Sequence, residues 1–270
     1  MAHAAVEMAA LDIDLHHRKR SIVEQLADVF GPARSHVEWC AVLGLHATID
    51  DVDDAVRSGA AQVKLKVGPS RDLSHVEAAR QRYPELKLAV DANGSYKTLD
   101  EVPERFGELA LAYVEQPVAP DDLLGAAAVA ERLGVRVALD ESITSAALLR
   151  QAIEVGACTV VSVKPARLGG VAEATQTMEV AQQGDIDAFV GGMLETGIGR
   201  AVALGLAAQR PCTLPCDAGP TSRYFTRDIA PAFEPDANGG LHASTVVGIG
   251  AVPDPVALAQ HRVERVTLRA

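Results

Sequence analysis

The sequence predicts an α/β protein in which eight parallel strands alternate with seven helices, a (β/α)7β barrel. Short apolar runs alternate with helical patterns from residue 42 to residue 214. The alternation repeats about every 25 residues, and glycine or proline ends most of the helical patterns. Strands joined by helices lie parallel in one sheet, and eight of them close into a barrel. An open doubly wound sheet is the alternative, but it usually has fewer strands.

The predicted strands are short and rich in Val, Leu, Ile and Ala, which suits strands that are buried on both faces. They cover residues 42–45, 63–67, 86–90, 111–114, 135–139, 159–163, 186–190 and 213–214. The helices between them cover residues 51–58, 72–83, 99–109, 121–133, 146–155, 171–183 and 198–209. Residues 1–30 also have a helical pattern, which Gly31-Pro32 ends. After the last strand come loops, and residues 263–268 alternate as a strand outside the barrel would.

Composition and charge narrow the class of partner. Hydrophobic residues make up 48% of the 270 residues and aromatic residues only 4%, so small aliphatic side chains must form the core. The net charge of −11, from 25 basic and 36 acidic residues, disfavours nucleic acid and anionic membranes as partners. A small molecule is therefore the expected partner. The oligomeric state is open, and a homo-oligomer is one of the alternatives.

The cysteines and the apolar runs predict a cytoplasmic protein. The four cysteines include no C-x-x-C pair, so they are expected to be free thiols in a reducing compartment. The N-terminus has no basic stretch followed by an apolar run, as a signal peptide would. No apolar run approaches the roughly 18 residues that a membrane-spanning helix needs.

Ionisable residues recur where five consecutive predicted strands end. Lys66, Asp91, Glu115, Asp140 and Lys164 are separated by 25, 24, 25 and 24 residues. In a parallel barrel the carboxyl ends of the strands form the functional face. The three acids would follow neighbouring strands 3, 4 and 5. The two lysines, on strands 2 and 6 of a ring of eight, would lie on opposite sides of that face.

The three acids predict a metal site. Three converging carboxylates repel one another unless a cation lies among them. Oxygen ligands without histidine or thiolate favour a hard ion, Mg²⁺ first and Mn²⁺ as the alternative. Any one of these acids by itself would more simply be a helix cap or a surface ion pair. Their shared position at neighbouring strand ends favours the metal site.

Lys64 precedes Lys66 by two residues, so both side chains point to the same face of the strand. Two ammonium groups this close to each other and to a metal are expected to lower each other's pKa, as a general base near neutral pH requires. The alternative is that only one of the two lysines points into the site. Lysines opposed across a metal suit removal of a proton next to a carboxylate, because the metal stabilises the resulting enolate.

The chain carries six motifs at or near the predicted strand ends: Lys64-x-Lys66, Asp91-Ala92-Asn93, Glu115-Gln116-Pro117, Asp140-Glu141-Ser142, Lys164-Pro165-Ala166-Arg167-Leu168-Gly169-Gly170 and the segment 191–200. Together they resemble the enolase superfamily, in particular its muconate-lactonizing subgroup. Glycines and Met193 occupy the position after strand 7 at which the mandelate-racemase subgroup carries a histidine base. The same segment and Ser222-Arg223-Tyr224-Phe225 are most similar to o-succinylbenzoate synthases and N-acylamino acid racemases.

The resemblance implies a modified TIM barrel and assigns roles to residues. Asp91, Glu115 and Asp140 would bind Mg²⁺, with Asn93 and Glu141 supporting them. Lys66 would remove the α-proton of a small carboxylate substrate and Lys164 would stabilise the enolate, with Lys64 as a further catalytic lysine. The backbone near Gly192, Met193 and Leu194 would contact the substrate. The expected reaction is the dehydration that forms o-succinylbenzoate in menaquinone synthesis, with racemisation of N-acylamino acids as the alternative.

The resemblance also predicts three parts of the chain. Residues 1–38 would be a remnant of the α+β capping domain that covers the substrate in this superfamily, because residues 5–12 resemble its last helix. Residues 39–230 would form the barrel with the active site. Residues 231–270 would pack outside the barrel. With most of a cap absent, the expected alternative to an active enzyme is a barrel that turns over poorly.

Overall fold

The computed structural model describes residues 1–264 and 266, and its centre is a parallel sheet of seven strands in sequence order, β1 to β7. Helices connect the successive strands, as the alternating pattern predicts. The α/β barrel fold class is therefore confirmed. The strands are β1 Cys40–Leu43, β2 Gln62–Lys66, β3 Lys87–Asp91, β4 Val114–Glu115, β5 Val137–Leu139, β6 Val160–Val163 and β7 Asp187–Val190.

The eighth predicted strand, residues 213–214, is replaced by an irregular segment that joins the two edge strands. On one side, the Thr213 amide donates to the Ala188 carbonyl in β7 at 2.9 Å. On the other, the Cys40 amide in β1 donates to the Cys216 carbonyl at 2.7 Å. This closing segment, residues 211–217, contains Pro211 and Pro215, and proline has no N–H for a continuous ladder. The prediction of a regular strand here is wrong, but the segment still bridges β7 and β1.

The helices surround the sheet. Each predicted helix is present near its predicted position except the one at residues 99–109, and Pro165–Leu168, α7, is a short additional helix. Residues 99–109 form two short 3₁₀ turns, Leu99–Glu101 and Glu104–Glu108, so the predicted helix there is wrong. Pro103 lacks an N–H and disfavours helical geometry at Val102, which is extended with ψ 123°. The α-helices are α1 Ala2–Arg18, α2 Ile22–Phe30, α3 Ile49–Arg57, α4 Ser74–Arg82, α5 Leu123–Leu133, α6 Ala146–Glu154, α7 Pro165–Leu168, α8 Val171–Gln183, α9 Gly197–Ala207 and α10 Pro255–His261.

The helical pattern of residues 1–30 is two helices. Lys19 adopts a left-handed conformation, φ 54° and ψ 43°, which ends α1. A capping box between Ser21 and Glu24 then starts α2. The Glu7 carboxylate of α1 accepts hydrogen bonds from the Val171 and Ala172 amides, both at 3.0 Å, and so caps the start of α8. This contact fixes α1 against the barrel helices.

The core is aliphatic outside the sheet and aromatic at one level inside it. Between sheet and helices the buried residues are mostly Val, Leu and Ala, as the composition predicts. Inside the barrel, the rings of Tyr113 and Phe189 stack with their centroids 5.4 Å apart. All four cysteines are free and buried, as expected. Within the described part of the chain, the helices are all too short or too polar to cross a bilayer.

The C-terminal part runs back over the outside of the barrel to the N-terminal helices. Leu241 pairs with Val37, and Gly248 pairs with Ser21, each as an isolated bridge. Of the predicted strand at 263–268, most lies outside the described residues, and residues 263, 264 and 266 are irregular. The division at residues 38 and 230 stays a prediction.

The turn at residues 236–242 contains an ion pair with a defined pH range. The Asp236 carboxylate, at 2.8 Å from Nε2, and then the Ser35 carbonyl, at 2.6 Å from Nδ1, raise the pKa of His242 because both accept from the protonated ring. The His242 hydrogen bond in turn lowers the pKa of Asp236 to about 2. Histidine's contribution to stability is lost as the pH rises through its raised pKa, and aspartate's as the pH falls towards about 2.

The pair is therefore expected to stabilise the fold most between about pH 4 and pH 6.5, the unfolded values of the two groups. Asp236→Asn should lower the His242 pKa in an NMR titration. The same change should destabilise the protein more at pH 5.5 than at pH 8.5 in urea unfolding. Asp100→Asn, which removes a surface acid paired with Arg132, serves as the control and should leave the His242 titration unchanged. An unaltered His242 pKa in the Asp236 variant would contradict the assignment.

Candidate active site

The five ionisable residues lie where the sequence places them, at the carboxyl ends of five consecutive strands. Lys66, Asp91 and Glu115 are the last residues of β2, β3 and β4. Asp140 and Lys164 directly follow β5 and β6. In the strand register Lys66 pairs with Asp91, and Asp91 pairs with Glu115. The regular spacing in sequence thus becomes a row of side chains on one face of the sheet.

These ends border a cavity of about 290 Å³. Both Lys66 and Lys164 line it, from strands 2 and 6, so the two lysines reach one space from separate sides. Asp140 does not line the cavity and lies behind Lys164. The lining residues are Val42, Lys64, Lys66, Asp91, Glu115, Lys164, Gly192, Met193, Leu194, Asp217 and Tyr224.

Each of the two opposed lysines is held by a carboxylate. Lys66 Nζ lies 2.6 Å from Asp91 Oδ2 and also donates to the side-chain oxygen of Asn93. Lys164 Nζ lies 2.7 Å from Asp140 Oδ2. About a third of the Lys66 side chain is exposed, compared with 11% for Lys164. Both ammonium groups are therefore oriented by the acids, and Lys66 is the more accessible.

Lys64 differs from both because it is completely buried. Its Nζ lies 2.5 Å from Glu115 Oε2 and 2.6 Å from Asp217 Oδ2, and 4.8 Å from the centre of the Phe189 ring. Burial by itself lowers the pKa of Lys64, but the Asp217 and Glu115 carboxylates outweigh it and hold that pKa well above its ordinary value. The prediction that Lys66 would lower the Lys64 pKa is therefore wrong. These two carboxylates favour the ammonium form of Lys64 beside the site.

The three predicted metal ligands are neighbours, but lysines hold them in this structure. Within residues 1–264 and 266, no three His, Cys, Asp or Glu side chains are grouped closely enough to hold a metal ion. Burial raises the pKa of Glu115 well above its ordinary value; Lys64 opposes this, and the Asp91, Asp217 and Asp140 carboxylates add to it. Its Oε1 has no hydrogen bond to the described residues, since Lys64 takes only Oε2. The three acids supply only oxygen donors, which are the ligands that a hard divalent cation prefers.

Asp140 is the most strongly paired acid. Lys164 and Arg167 both donate to it, and although burial by itself raises the pKa of Asp140, these two cations outweigh burial and lower it. The sequence shows Arg167 only as part of a motif, and its contact with Asp140 is seen only in the structure. It lies one helical turn beyond Lys164, in α7, a short helix that was not predicted.

Asn93 and Glu141, the expected supporting residues, contact each other. Asn93 Nδ2 donates to Glu141 Oε1 at 3.0 Å, and the backbone N–H of Asn93 donates to Asp91 Oδ1 at 2.9 Å. Asn93 has φ 46°, a left-handed conformation that asparagine tolerates better than most residues. Its side chain thus links Lys66 to the loop after β5.

Gln116 joins the ends of β4 and β5, a role that no pattern in the sequence indicates. The buried Gln116 Oε1 accepts from the Asp140 and Ser142 amides, both at 3.1 Å. Its Nε2 donates to the Val118 carbonyl at 3.0 Å. This network fixes the backbone that carries Asp140 relative to Glu115.

The predicted substrate-contacting residues Gly192, Met193 and Leu194 all line the cavity, and Leu194 is 85% exposed at its mouth. The glycine pair has a packing reason. A Cβ on Gly191 would lie 2.5 Å from Lys164 Cε, and a Cβ on Gly192 would lie 2.7 Å from the Asp217 carbonyl oxygen. The two glycines therefore make room for one lysine and for the segment that closes the barrel.

Two further residues at the cavity were missed as site residues. The sequence predicts a loop at Asp217, although an acid shortly after the eighth apolar run continues the strand-end pattern. Tyr224 belongs to a motif that resembles the synthases and racemases, but the motif does not mark it as a site residue. Arg200 supports Tyr224: the buried Arg200 guanidinium lies 4.8 Å from the centre of the Tyr224 ring and donates to the Gly219 carbonyl.

A barrel with acids and lysines at its strand ends is the architecture of a class of enzyme, and known proteins show which class this is. The chain belongs to the enolase superfamily: the family described as "Enolase C-terminal domain-like" matches residues 47–257. Within the superfamily it is of the o-succinylbenzoate synthase and N-succinylamino acid racemase type.

Three similar proteins support this placement. An N-succinylamino acid racemase from Thermus thermophilus is 38% identical over 99% of this chain and 72% of its own length. An o-succinylbenzoate synthase from Listeria innocua is 35% identical over 94% of this chain and 68% of its own length. A solved structure of an enolase superfamily member from Listeria innocua has a TM-score of 0.88 and 33% identity, and 96% of this chain and 70% of that one are covered. The chain thus spans about 70% of these relatives.

Proposed function

We propose that this protein is an Mg²⁺-dependent o-succinylbenzoate synthase. The observation that carries the proposal is the single cavity that Lys66 and Lys164 both line, with Asp91 and Glu115 on the strands between them. A base and a second cation on separate sides of one small carboxylate substrate are what enolate formation requires.

Asp91, Glu115 and Asp140 would hold the metal, since they supply only oxygen ligands from three neighbouring strand ends. Mg²⁺ is the first choice and Mn²⁺ accepts similar ligands. When bound, the metal supplies positive charge that stabilises the doubly negative enolate. The backbone N–H of Asn93 donates a hydrogen bond to the Asp91 carboxylate and would keep that ligand in orientation.

The chain's own groups would perform the proton chemistry. Lys66 would take the proton from the carbon next to the substrate carboxylate. Lys164 would remain an ammonium and stabilise the enolate oxygen by charge and hydrogen bonding. The substrate's ring carbon–oxygen bond then breaks, and the hydroxyl leaves as water with the proton that Lys66 removed. The product is the aromatic o-succinylbenzoate, an intermediate of menaquinone synthesis in the cytoplasm.

The backbone from Gly192 to Leu194 and the ring of Tyr224 would contact the rest of the substrate. These residues lie on the side of the cavity formed by the segments after β7 and after the closing segment. The side opposite the metal ligands is therefore where the succinyl group is expected.

Racemisation of N-succinylamino acids is the second candidate. It is favoured by the approach of two lysines to one cavity, because a racemase needs a base on each side of the α-carbon. The relatives also favour it slightly, since the racemase from Thermus thermophilus is 38% identical and the synthase from Listeria innocua 35%. The same residues would serve both reactions.

Two assays on one preparation separate the candidates. The first follows dehydration of the succinylated cyclohexadiene carboxylate by ultraviolet absorbance. The second follows exchange of the α-proton of N-succinyl amino acids in D₂O by NMR. We expect dehydration that depends on added Mg²⁺ and stops with a chelator. Exchange without dehydration would replace the synthase with the racemase, and neither activity in a protein that binds Mg²⁺ would leave a barrel with little turnover.

A further inference from the structure

Asp217 lies in the segment that closes the barrel and reaches the buried Lys64. Its Oδ2 lies 2.6 Å from Lys64 Nζ, and the Asp217 side chain is only 5% exposed. The backbone holds it in place, since the Asp217 amide donates to the Val190 carbonyl of β7 at 2.9 Å. Lys64 is thereby connected to two carboxylates, one on β4 and one 153 residues later in the chain.

Besides Asp217, the Lys64 ammonium contacts one other carboxylate and one aromatic ring among the described residues. Glu115 Oε2 lies at 2.5 Å, and the Phe189 ring fills a third side at 4.8 Å. The Lys64 and Glu115 side chains are both 1% exposed, so water screens their attraction poorly. The charge of Lys64 is therefore divided between Glu115 and Asp217.

This division matters for metal binding. An ammonium group and a metal ion compete for the charge of Glu115. Asp217 gives the Lys64 ammonium a second carboxylate acceptor, so Glu115 is not its only partner and still has Oε1 to offer a cation. Without the Asp217 charge, Lys64 would have Glu115 as its only carboxylate partner and would neutralise it.

We propose that Asp217 is a positioning residue for the metal site, which shares the Lys64 ammonium with Glu115 and so keeps Glu115 available to Mg²⁺. The inference rests on the proposed Mg²⁺ site but adds a residue that is not one of its ligands. It also gives Gly192 a function, because a Cβ there would lie 2.7 Å from the Asp217 carbonyl oxygen and would displace this residue.

The test is Mg²⁺ affinity measured by calorimetry on the folded, substrate-free protein. Asp217→Asn keeps the shape and removes the charge, so we expect the dissociation constant for Mg²⁺ to rise about 10- to 100-fold, as for other residues that orient metal ligands. Adding Lys64→Met to this variant removes the competing ammonium and should restore most of the affinity. A purely structural role predicts no such rescue.

Asp187→Asn is the matched control. Asp187 accepts a hydrogen bond from Thr213 in the same closing segment, but it is the first residue of β7, at the end of the strand away from the cavity. It should leave the Mg²⁺ affinity unchanged even if the melting temperature falls. If Asp217→Asn does not fold, Lys64→Met alone decides, since it should bind Mg²⁺ at least as tightly as the parent.

Equal Mg²⁺ affinity in the parent and Asp217→Asn would overturn the inference and leave the proposed function intact. A double variant that binds no better than the single variant would also overturn it, as would a Lys64→Met variant that binds more weakly than the parent. A parent protein that does not bind Mg²⁺ would instead overturn the proposed cofactor, and the inference with it.

Discussion

Replacing either Lys66 or Lys164 with alanine is expected to abolish turnover while Mg²⁺ still binds. Lys66 supplies the base, and a positioned base contributes about 10²- to 10⁴-fold to the rate. Lys164 supplies charge to the enolate, a contribution of similar size. Neither residue is a proposed ligand, so calorimetry should still detect Mg²⁺ in both variants. Turnover is measured by the dehydration assay under saturating Mg²⁺.

Exchange in D₂O adds a second measurement on the same variants. If the two lysines approach the α-carbon from opposite sides, Lys66→Ala should remove exchange from one enantiomer of an N-succinyl amino acid and Lys164→Ala from the other. Lys87→Ala is the control, because Lys87 is an exposed lysine of β3 that pairs with Glu38 far from the cavity. Undiminished dehydration in either cavity variant would refute the roles assigned to the lysines.

Gly191→Ala is expected to reduce activity by about 10²-fold with little effect on folding. The new Cβ would lie 2.5 Å from Lys164 Cε and 2.3 Å from Ser162 Oγ, so both side chains must shift, and the longer Lys164 chain has more rotatable bonds with which to do so. A displacement of about 1 Å in a reacting group costs about that factor in rate. The loss should appear in kcat in the dehydration assay, with the melting temperature nearly unchanged.

Gly44→Ala is the matched control for this change. Gly44 follows β1 near the same end of the barrel, and a Cβ there would meet no atom within 4 Å. Activity should therefore stay at the parent level in Gly44→Ala. Parent-level activity in Gly191→Ala as well would mean that Lys164 need not occupy its observed position.

Local pattern was sufficient for most of the architecture. Alternating apolar runs and helix stops positioned seven strands and most helices, because these signals act within a few residues. The helix predicted at 99–109 failed for a reason that is also local, the effect of Pro103 on the residue before it. The eighth strand failed because the prolines at 211 and 215 interrupt a ladder that its neighbours would otherwise complete.

The active site was predictable in part for the same reason. A residue at the end of a parallel strand reaches the functional face whatever its neighbours are, so the spacing of Lys66, Asp91, Glu115, Asp140 and Lys164 is enough to bring them together. Packing needs were not visible in the sequence. The resemblance predicts only a substrate contact near Gly192, but the Gly191-Gly192 pair also makes room for Lys164 and for the Asp217 backbone.

The sequence by itself therefore determined the barrel, the row of strand-end groups and the class of chemistry. Only the tertiary structure decided what Lys64 does. Its neighbour Lys66 suggested a lowered pKa, but Glu115 and Asp217 hold the Lys64 pKa high. The physical reason is that the charge state of a buried group depends on the groups within a few ångströms of it. For Lys64 one of those groups lies 153 residues further along the chain, in the segment that closes the barrel.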